Sequence, residues 1–490
     1  MFGALVPLLT PLFHDHGNSS SFRVIEGPIQ RPPRQRTEGS RPLTRRQPGM
    51  RLRGQVKPNN RQPTSPLAGA RRAFLVRAVT LPVATVAGLV AARVTVSTLG
   101  VGGYALFALV VGLAALNPIG DFGVGAAVTD AVARRQELGT EEVQRVLRTS
   151  LRVLLPVSIA LPLAAWALAA LRWWAPLLGV SPSSGVELAG ATALTLFAAG
   201  LPLGLSSRVL LGAERNDIAL AFQGGAGILA LLIILLAASA HAPLWAYVAA
   251  PSAGAALAAA AAWPMASSAS GLSLQETVRA VAVRARPGAP IAQLAGPMLV
   301  ITAALPIAFQ SDRMLLSHLS NLGQVAVYSV GAQLYAALFG LIAAAGMSLW
   351  PMFARRREHQ PIVRRELVRV TAVFTLVGIL LAVSLVVAGP WVAQFVSNGR
   401  INVGYGVFAA FGLLLVVHAS WFPTGMLLTD RDGLRFQAIT AVVMMVINVA
   451  ASAVLAQRIG AAGPILGSVG AMVIAMWVPG VCRVFAQANN

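Results

Sequence analysis

Charged side chains occur inside an apolar stretch of this chain, at Gln310-Ser311-Asp312-Arg313, within a run that begins near Pro290 and ends at Leu319. Charges inside a membrane-spanning helix are costly, and they usually face a bundle interior or a water-filled path. A guanidinium offers phosphate a permanent bidentate fork, whereas a carboxylate can respond to a proton or to Na⁺. The stretch predicts a transport site with Gln310, Asp312 and Arg313 facing a cavity. The alternative for Asp312 is a structural ion pair with an arginine of a neighbouring helix.

An arginine in the first half of the chain occupies a matching position. Residues 92–99 (ARVTVSTL) and 312–319 (DRMLLSHL) share an Arg, a Ser four residues later and a Leu two beyond that. Arg93 is therefore a second cavity candidate, although the first copy has Ala92 where the second has Asp312. Both arginines lie six residues before the closing Leu, about 9 Å from the helix end at 1.5 Å per residue, so snorkelling to lipid headgroups is the alternative.

The composition is that of a polytopic membrane protein. The 490 residues are 56% hydrophobic and 11% charged, far from the balance of a soluble domain. The net charge of +21 does not indicate nucleic-acid binding, because the basic residues lie in the N-terminal tail and in alternate loops. A single cysteine excludes an internal disulfide, and the six histidines show no metal-ligand spacing. We predict no metal site and no cofactor apart from a possible coupling ion.

Twelve apolar runs follow a basic tail. Residues 1–72 carry 13 basic and 3 acidic residues and are predicted to be a disordered cytoplasmic tail. The runs are long enough to cross about 30 Å of hydrocarbon as helices. Loops on one side carry 19 Arg and those on the other carry 3, so both termini are predicted to be cytoplasmic. The predicted spans are 74–98, 103–128, 151–171, 187–211, 217–239, 243–264, 290–318, 324–352, 368–389, 403–428, 434–455 and 460–482.

The runs form two similar sets of six. Residues 210–223 (LLGAERNDIALAFQ) match residues 427–437 (LLTDRDGLRFQ), and a basic cluster follows the second run of each set. Because six is even, both copies enter the membrane from the same side, which makes the repeat parallel. We predict an all-α fold with six-helix bundles at 73–265 and 290–485 and a connecting cytoplasmic loop at 266–289. Such paired bundles are typical of transporters that work by alternating access.

Two stretches resemble polysaccharide flippases of the multidrug/oligosaccharidyl-lipid/polysaccharide exporter superfamily. Residues 99–135 carry the Gly-Tyr-x-Leu-Phe start, the Asp-x-Gly-x-Gly centre and the basic end of the second-helix signature. Residues 312–334 carry the Asp-Arg and Val-x-x-Tyr-Ser elements of the second half. The resemblance implies export of a polyprenyl-pyrophosphate-linked oligosaccharide across a bacterial plasma membrane, alongside polysaccharide polymerase or glycosyltransferase machinery. Coupling to H⁺ or Na⁺ would rest on Asp312 alone. The basic clusters that follow the second run of each set predict contact with membrane lipids.

Further polar positions within the runs are weaker candidates. Asn117-Pro118-Ile119-Gly120-Asp121 predicts a break that could expose carbonyl groups and the side chains of Asn117 and Asp121 to the cavity. Pro423 predicts a similar interruption beside His418. Gln333 is a candidate too, although such amides often form hydrogen bonds between helices.

Other functions remain open from the sequence. A multidrug exporter of the same fold would need acidic and aromatic cavity walls, whereas the intramembrane charges here include Arg77, Arg93 and Arg313. Lipid II flippases usually carry additional helices. A membrane enzyme would need catalytic groups in a sizeable loop, and the longest outer loop, about 172–185, offers none. A scaffold that recruits partners through its tail is the last alternative.

Overall fold

The fold is made almost entirely of long apolar helices. The computed structural model describes residues 66–114, 124–272, 292–347, 349, 352–353 and 364–487. Its elements are α1 (Pro66–Ala114), α2 (Val124–Ala133), α3 (Arg135–Ala170), α4 (Trp174–Leu178), α5 (Ser184–Leu203), α6 (Leu205–Gly212), α7 (Asn216–Ser239), α8 (Leu244–Ser270), α9 (Ala292–Leu319), α10 (Leu322–Met347), α11 (Arg364–Ser397), α12 (Tyr405–Leu427), α13 (Arg431–Ile459), α14 (Ala462–Met472), a π-helical turn (Val473–Trp477) and α15 (Val478–Gln487).

Each predicted span coincides with a helix that is described in whole or in part. Ten helices of the described part are long and apolar enough to cross a membrane. The first of these covers the predicted span 74–98 and the start of the span 103–128, because α1 changes direction at Gly100, where φ is 72°. Glycine tolerates this left-handed conformation, whereas a residue with a Cβ atom would be strained. The α9 helix, which carries the charged stretch, coincides with a further predicted span but is outside those ten.

The two halves repeat the same order of packing. In the first half α1 packs on α7, α7 on α8, α8 on α5 and α5 on α3. In the second half α9 packs on α13, α13 on α14, α14 on α12 and α12 on α11. Each helix pair that packs together in the first half has an equivalent pair that packs together in the second half. The all-α fold of two helical bundles related by a parallel repeat is therefore confirmed.

The halves meet mainly along α1. The α10, α11 and α9 helices of the second half all contact α1. Two smaller contacts join α9 to α2 and to α4. Helices α1 and α9 thus lie where one half faces the other. The predicted boundaries of the tail and of the connecting loop remain predictions, because residues 1–65 and 273–291 lie outside the described residues.

Candidate functional site

A buried carboxylate lies at the centre of the second half. Asp312 is 1% exposed, and its Oδ2 accepts hydrogen bonds from Tyr328 Oη at 2.9 Å and from Ser468 Oγ at 3.4 Å. Its Oδ1 has no hydrogen-bond partner among the described residues. The alternative role predicted for Asp312 is a structural ion pair with an arginine of a neighbouring helix. No arginine of the described part forms such an ion pair with Asp312. A buried carboxylate without a direct ion-pair partner is stabilised by binding either a proton or a cation.

Polar side chains of α13 and α14 complete this cluster. Asn448 Nδ2 donates to Ser468 Oγ at 2.8 Å, and Ser452 Oγ lies 2.8 Å from Asn448 Oδ1 and 3.2 Å from the Pro464 carbonyl oxygen. The side chains of Asn448, Ser452 and Ser468 are fully buried. Together with Asp312 and the Pro464 backbone, they bring together a carboxylate, two hydroxyls, an amide oxygen and a backbone carbonyl. These are the hard oxygen donors that alkali and alkaline-earth cations prefer.

Arg313 faces away from this cluster and toward the other half. Its Nε donates to Ser329 Oγ at 3.3 Å, its Nη1 donates to Gln310 Oε1, and its guanidinium carbon lies 5.7 Å from the centre of the Tyr328 ring. A Cβ atom at Gly112 of the first half would lie 3.4 Å from both Arg313 Nη1 and Gln310 Oε1. Arg313 and Gln310 therefore lie together at the junction between the halves.

A cavity of about 370 Å³ opens between the two halves. Arg77, Gln223 and Gln333 supply its long polar side chains, from α1, α7 and α10 respectively. Arg77 is half-buried, and no hydrogen bond or ion pair joins it to another residue of the described part. The other lining residues are small, apolar or hydroxyl-bearing: Thr80, Leu81, Ala84, Thr85, Gly88, Leu220, Gly224, Ala336 and Ala337. None of these twelve residues is acidic, so the cavity has the charge of an anion site.

Among the predicted candidates that the structure describes, Gln333 alone lines this cavity, and Gln310, Asp312 and Arg313 do not. The two remaining candidates, Arg93 and His418, also lie outside its lining. Arg93 Nη1 donates to the backbone carbonyl of Phe395, and its guanidinium carbon lies 4.3 Å from the centre of the Phe395 ring. His418 Nδ1 lies 2.9 Å from Tyr335 Oη, and the His418 ring centre lies 4.9 Å from that of Phe339. Arg93 thus reaches across to the other half, whereas His418 packs within an aromatic cluster of its own half.

Three positions that the sequence predicts to interrupt helices or face the cavity are not confirmed. Asn117 and Asp121 lie outside the described residues. The predicted interruption at Pro423 is wrong, because α12 continues through Pro423 to Leu427. A proline inside a helix is tolerated where neighbouring groups satisfy the freed backbone carbonyl.

Sequence reasoning gives no role to several residues that the structure brings together. It identifies Arg77 as a charge only, and Gln223 only as part of a repeat, whereas both line the cavity. It does not single out Ser452 or Ser468. The available signal is a helical spacing of four, which places Asn448 and Ser452 on one face of α13 and Pro464 and Ser468 on one face of α14.

Comparison with known families and structures adds the evolutionary context. A family model described as "Polysaccharide biosynthesis protein" matches residues 73–357. Among curated protein sequences, none matches the chain.

Solved structures with the same fold are distant in sequence. An inward-facing multidrug resistance MATE family transporter of the MOP superfamily matches with a TM-score of 0.63 at 15% identity, over 85% of this chain and 99% of that one. The lipid II flippase MurJ, in an inward closed conformation, matches with a TM-score of 0.65 at 13% identity, over 85% of this chain and 88% of that one. A MOP superfamily transporter from Pyrococcus furiosus, described as having a binding pocket of reverse polarity, matches with a TM-score of 0.59 at 13% identity, over 86% and 96%.

Proposed function

The chain belongs to the family of polysaccharide biosynthesis proteins, and from this membership we propose that it is a flippase for a polyprenyl-pyrophosphate-linked oligosaccharide. In this proposal the substrate enters the cavity between the halves with its pyrophosphate and sugars, while the polyprenyl chain stays in the bilayer. The halves then rock against each other and release the substrate on the opposite side. The membrane is a bacterial plasma membrane, with both termini in the cytoplasm.

The observation that carries this proposal is the position of Arg77 in a cavity without acidic lining residues. Arg77 has no ion-pair partner among the residues that the structure describes. A guanidinium binds phosphate oxygens through a bidentate, charge-assisted fork, and its attraction is strong where water is scarce. The amides of Gln223 and Gln333 add donors and acceptors that suit sugar hydroxyls. Arg313, at the junction between the halves, supplies a second cation for the pyrophosphate. A cavity for organic cations would need the opposite charge, which argues against a multidrug substrate.

The experiment is translocation of a fluorescent polyprenyl-pyrophosphate oligosaccharide in vesicles that contain the purified protein. Arg77→Ala should reduce the rate at least tenfold, and Arg77→Lys should retain part of it because the charge remains. The matched control is Arg72→Ala, which removes an exposed arginine five residues earlier on the same helix and should leave the rate unchanged.

A multidrug exporter would give a different result in the same vesicles. If wild-type protein transports an organic cation such as ethidium and not the lipid-linked glycan, the flippase proposal is refuted. If it transports the glycan and Arg77→Ala transports it equally well, the assignment of Arg77 is refuted while the function stands.

Asp312 and its oxygen-rich surroundings are the proposed site of a coupling ion, either H⁺ or Na⁺. The carboxylate has one oxygen without a hydrogen-bond partner in the described part, so occupancy by a cation would change its hydrogen bonding. Because this cluster lies in the second half alone, coupling would act through that half. The repeat position in the first half is Ala92 and has no carboxylate to contribute.

Imposed gradients test the coupling. Translocation should accelerate under an inward Na⁺ or an inward proton gradient, and Asp312→Asn should abolish the acceleration. Asp217→Asn is the control, because Asp217 pairs with Arg215 at the start of α7. A gradient response that survives Asp312→Asn would refute the site.

A further inference from the structure

Beyond the cavity, Arg93 makes a contact between the halves near the end of the first segment of α1, which runs up to the bend at Gly100. It lies five residues beyond the cavity residue Gly88, about 7.5 Å further along the helix. Its acceptor, the Phe395 carbonyl, is in the last turn of α11, which ends at Ser397. Carbonyls in the last turn of a helix lack partners within the helix and carry the negative end of its dipole. A cation from the other half is therefore a favourable partner.

Arg400 makes the reverse contact. Its Nη1 donates to the carbonyl oxygens of Val96 and Ser97, both at 3.1 Å. These carbonyls lie in the last turn of α1 before the bend at Gly100. Asn398 and Gly399 have φ values of 49° and 71°, and this left-handed turn ends α11 and directs the chain back toward α1. Each half thus gives an arginine to a helix C-terminus of the other half.

His318 adds a third contact of the same kind at this end. It is the penultimate residue of α9, and its Nε2 lies 3.1 Å from the carbonyl oxygen of Pro176 in α4. All three contacts join a basic side chain of one half to a backbone carbonyl of the other.

We propose that Arg93 and Arg400, with their acceptor carbonyls, form a clamp that holds the substrate path shut at the Gly100 end and must break each time the path opens there. This carbonyl clamp assigns to the two arginines a gating role separate from substrate binding. It rests on the proposed alternating access. Neither arginine has an acidic partner among the described residues, so the clamp consists of cation–dipole contacts, which are weaker than buried ion pairs and can be broken and remade in each cycle.

Distances measured between spin labels test the clamp in the full-length protein. Cys482, the single cysteine, is first replaced by serine. Labels are then placed at Trp173→Cys in the first half and Tyr405→Cys in the second, where the native side chains are 60% and 62% exposed. Double electron–electron resonance in lipid nanodiscs gives the ratio of long to short distances. The variant Arg93→Gln/Arg400→Gln should raise this ratio at least tenfold, because the loss of a single charge-assisted hydrogen bond already accounts for about a factor of ten.

Two comparisons make the outcome decisive. Arg458→Gln removes an exposed arginine at the end of α13 that has no hydrogen bond or ion pair in the described part, and it should leave the distances unchanged. The single variants Arg93→Lys and Arg400→Lys keep the charge and should give intermediate ratios. These single variants still test the clamp if the double variant does not fold. Unchanged distances in the folded Arg93→Gln and Arg400→Gln variants would overturn the clamp. The distance measurement needs no substrate. If the arginine variants alter the distances but the wild-type protein does not translocate the glycan, the proposed function is contradicted and the clamp is not.

Discussion

Removal of one hydroxyl group, in Tyr328→Phe, should reveal how strongly the buried carboxylate depends on its neighbours. The Tyr328 hydroxyl donates to Asp312 Oδ2 at 2.9 Å in a site that is almost fully buried. Phenylalanine keeps the ring, so the contacts of that ring with Arg313 and Phe411 remain. A hydrogen bond to a charged group contributes about 1.5–3 kcal/mol, and one between neutral groups about 0.5–1.5 kcal/mol. We expect the free energy of unfolding to fall by about 2 kcal/mol if the carboxylate is ionised.

The assay is unfolding of the protein in mixed micelles with increasing sodium dodecyl sulfate, followed by circular dichroism. In an Asp312→Asn background the same tyrosine substitution should cost only about 1 kcal/mol, because the acceptor is then neutral. Tyr405→Phe is the control, since Tyr405 is 62% exposed and should tolerate the change. Equal losses in the wild-type and Asp312→Asn backgrounds would mean that the carboxylate is neutral because it holds a proton, and no loss in either would refute the hydrogen bond.

Two further substitutions test a buried hydrogen-bonded carboxylate in the first half and close helix packing in the second. Glu187 is buried, and its carboxylate accepts hydrogen bonds from the backbone N–H groups of Trp174 and Ala175 at 3.1 Å each, so Glu187→Ala should lower the free energy of unfolding by about 1–3 kcal/mol through unsatisfied donors. A Cβ atom at Gly346 would lie 2.3 Å from the Phe422 ring, so Gly346→Ala should cost about 1–3 kcal/mol through overpacking. Thermal unfolding in detergent measures both changes.

Both substitutions have a matched control. Glu214 is exposed, and Glu214→Ala should leave the unfolding temperature unchanged. Gly470 is helical, and a Cβ atom added there would have no atom within 4 Å among the described residues. Gly470→Ala should therefore be neutral or slightly stabilising, because alanine favours a helix. A loss at either control as large as that at its partner would contradict the packing explanation.

The helices could be predicted from the sequence because their signal is local. An apolar run of about 20 residues has few alternatives to a membrane helix, and the repeat of six runs indicates which helices are equivalent. The charged stretch on α9 could be found in the same way, since a carboxylate in such a run is rare.

The partners of those charges could not be predicted, because they come from distant parts of the chain. Asp312 and its donor Ser468 are 156 residues apart, and Arg93 and the Phe395 carbonyl are 302 apart. A single serine in an apolar helix gives no indication of what it faces. The repeat is also misleading in one respect: Arg93 and Arg313 occupy equivalent positions, yet one contacts a helix C-terminus of the other half and the other contacts side chains of its own half.

The carbonyl clamp has a consequence for the evolution of the chain. The acceptors of its hydrogen bonds are main-chain oxygens, which every amino acid supplies, so residues 96, 97 and 395 can change type without loss of these hydrogen bonds. Positions 93 and 400, by contrast, must keep a long basic side chain. Among homologues the two arginines should therefore persist without any partner position that varies in step with them, and methods that detect contacts from correlated substitutions should miss this junction between the halves.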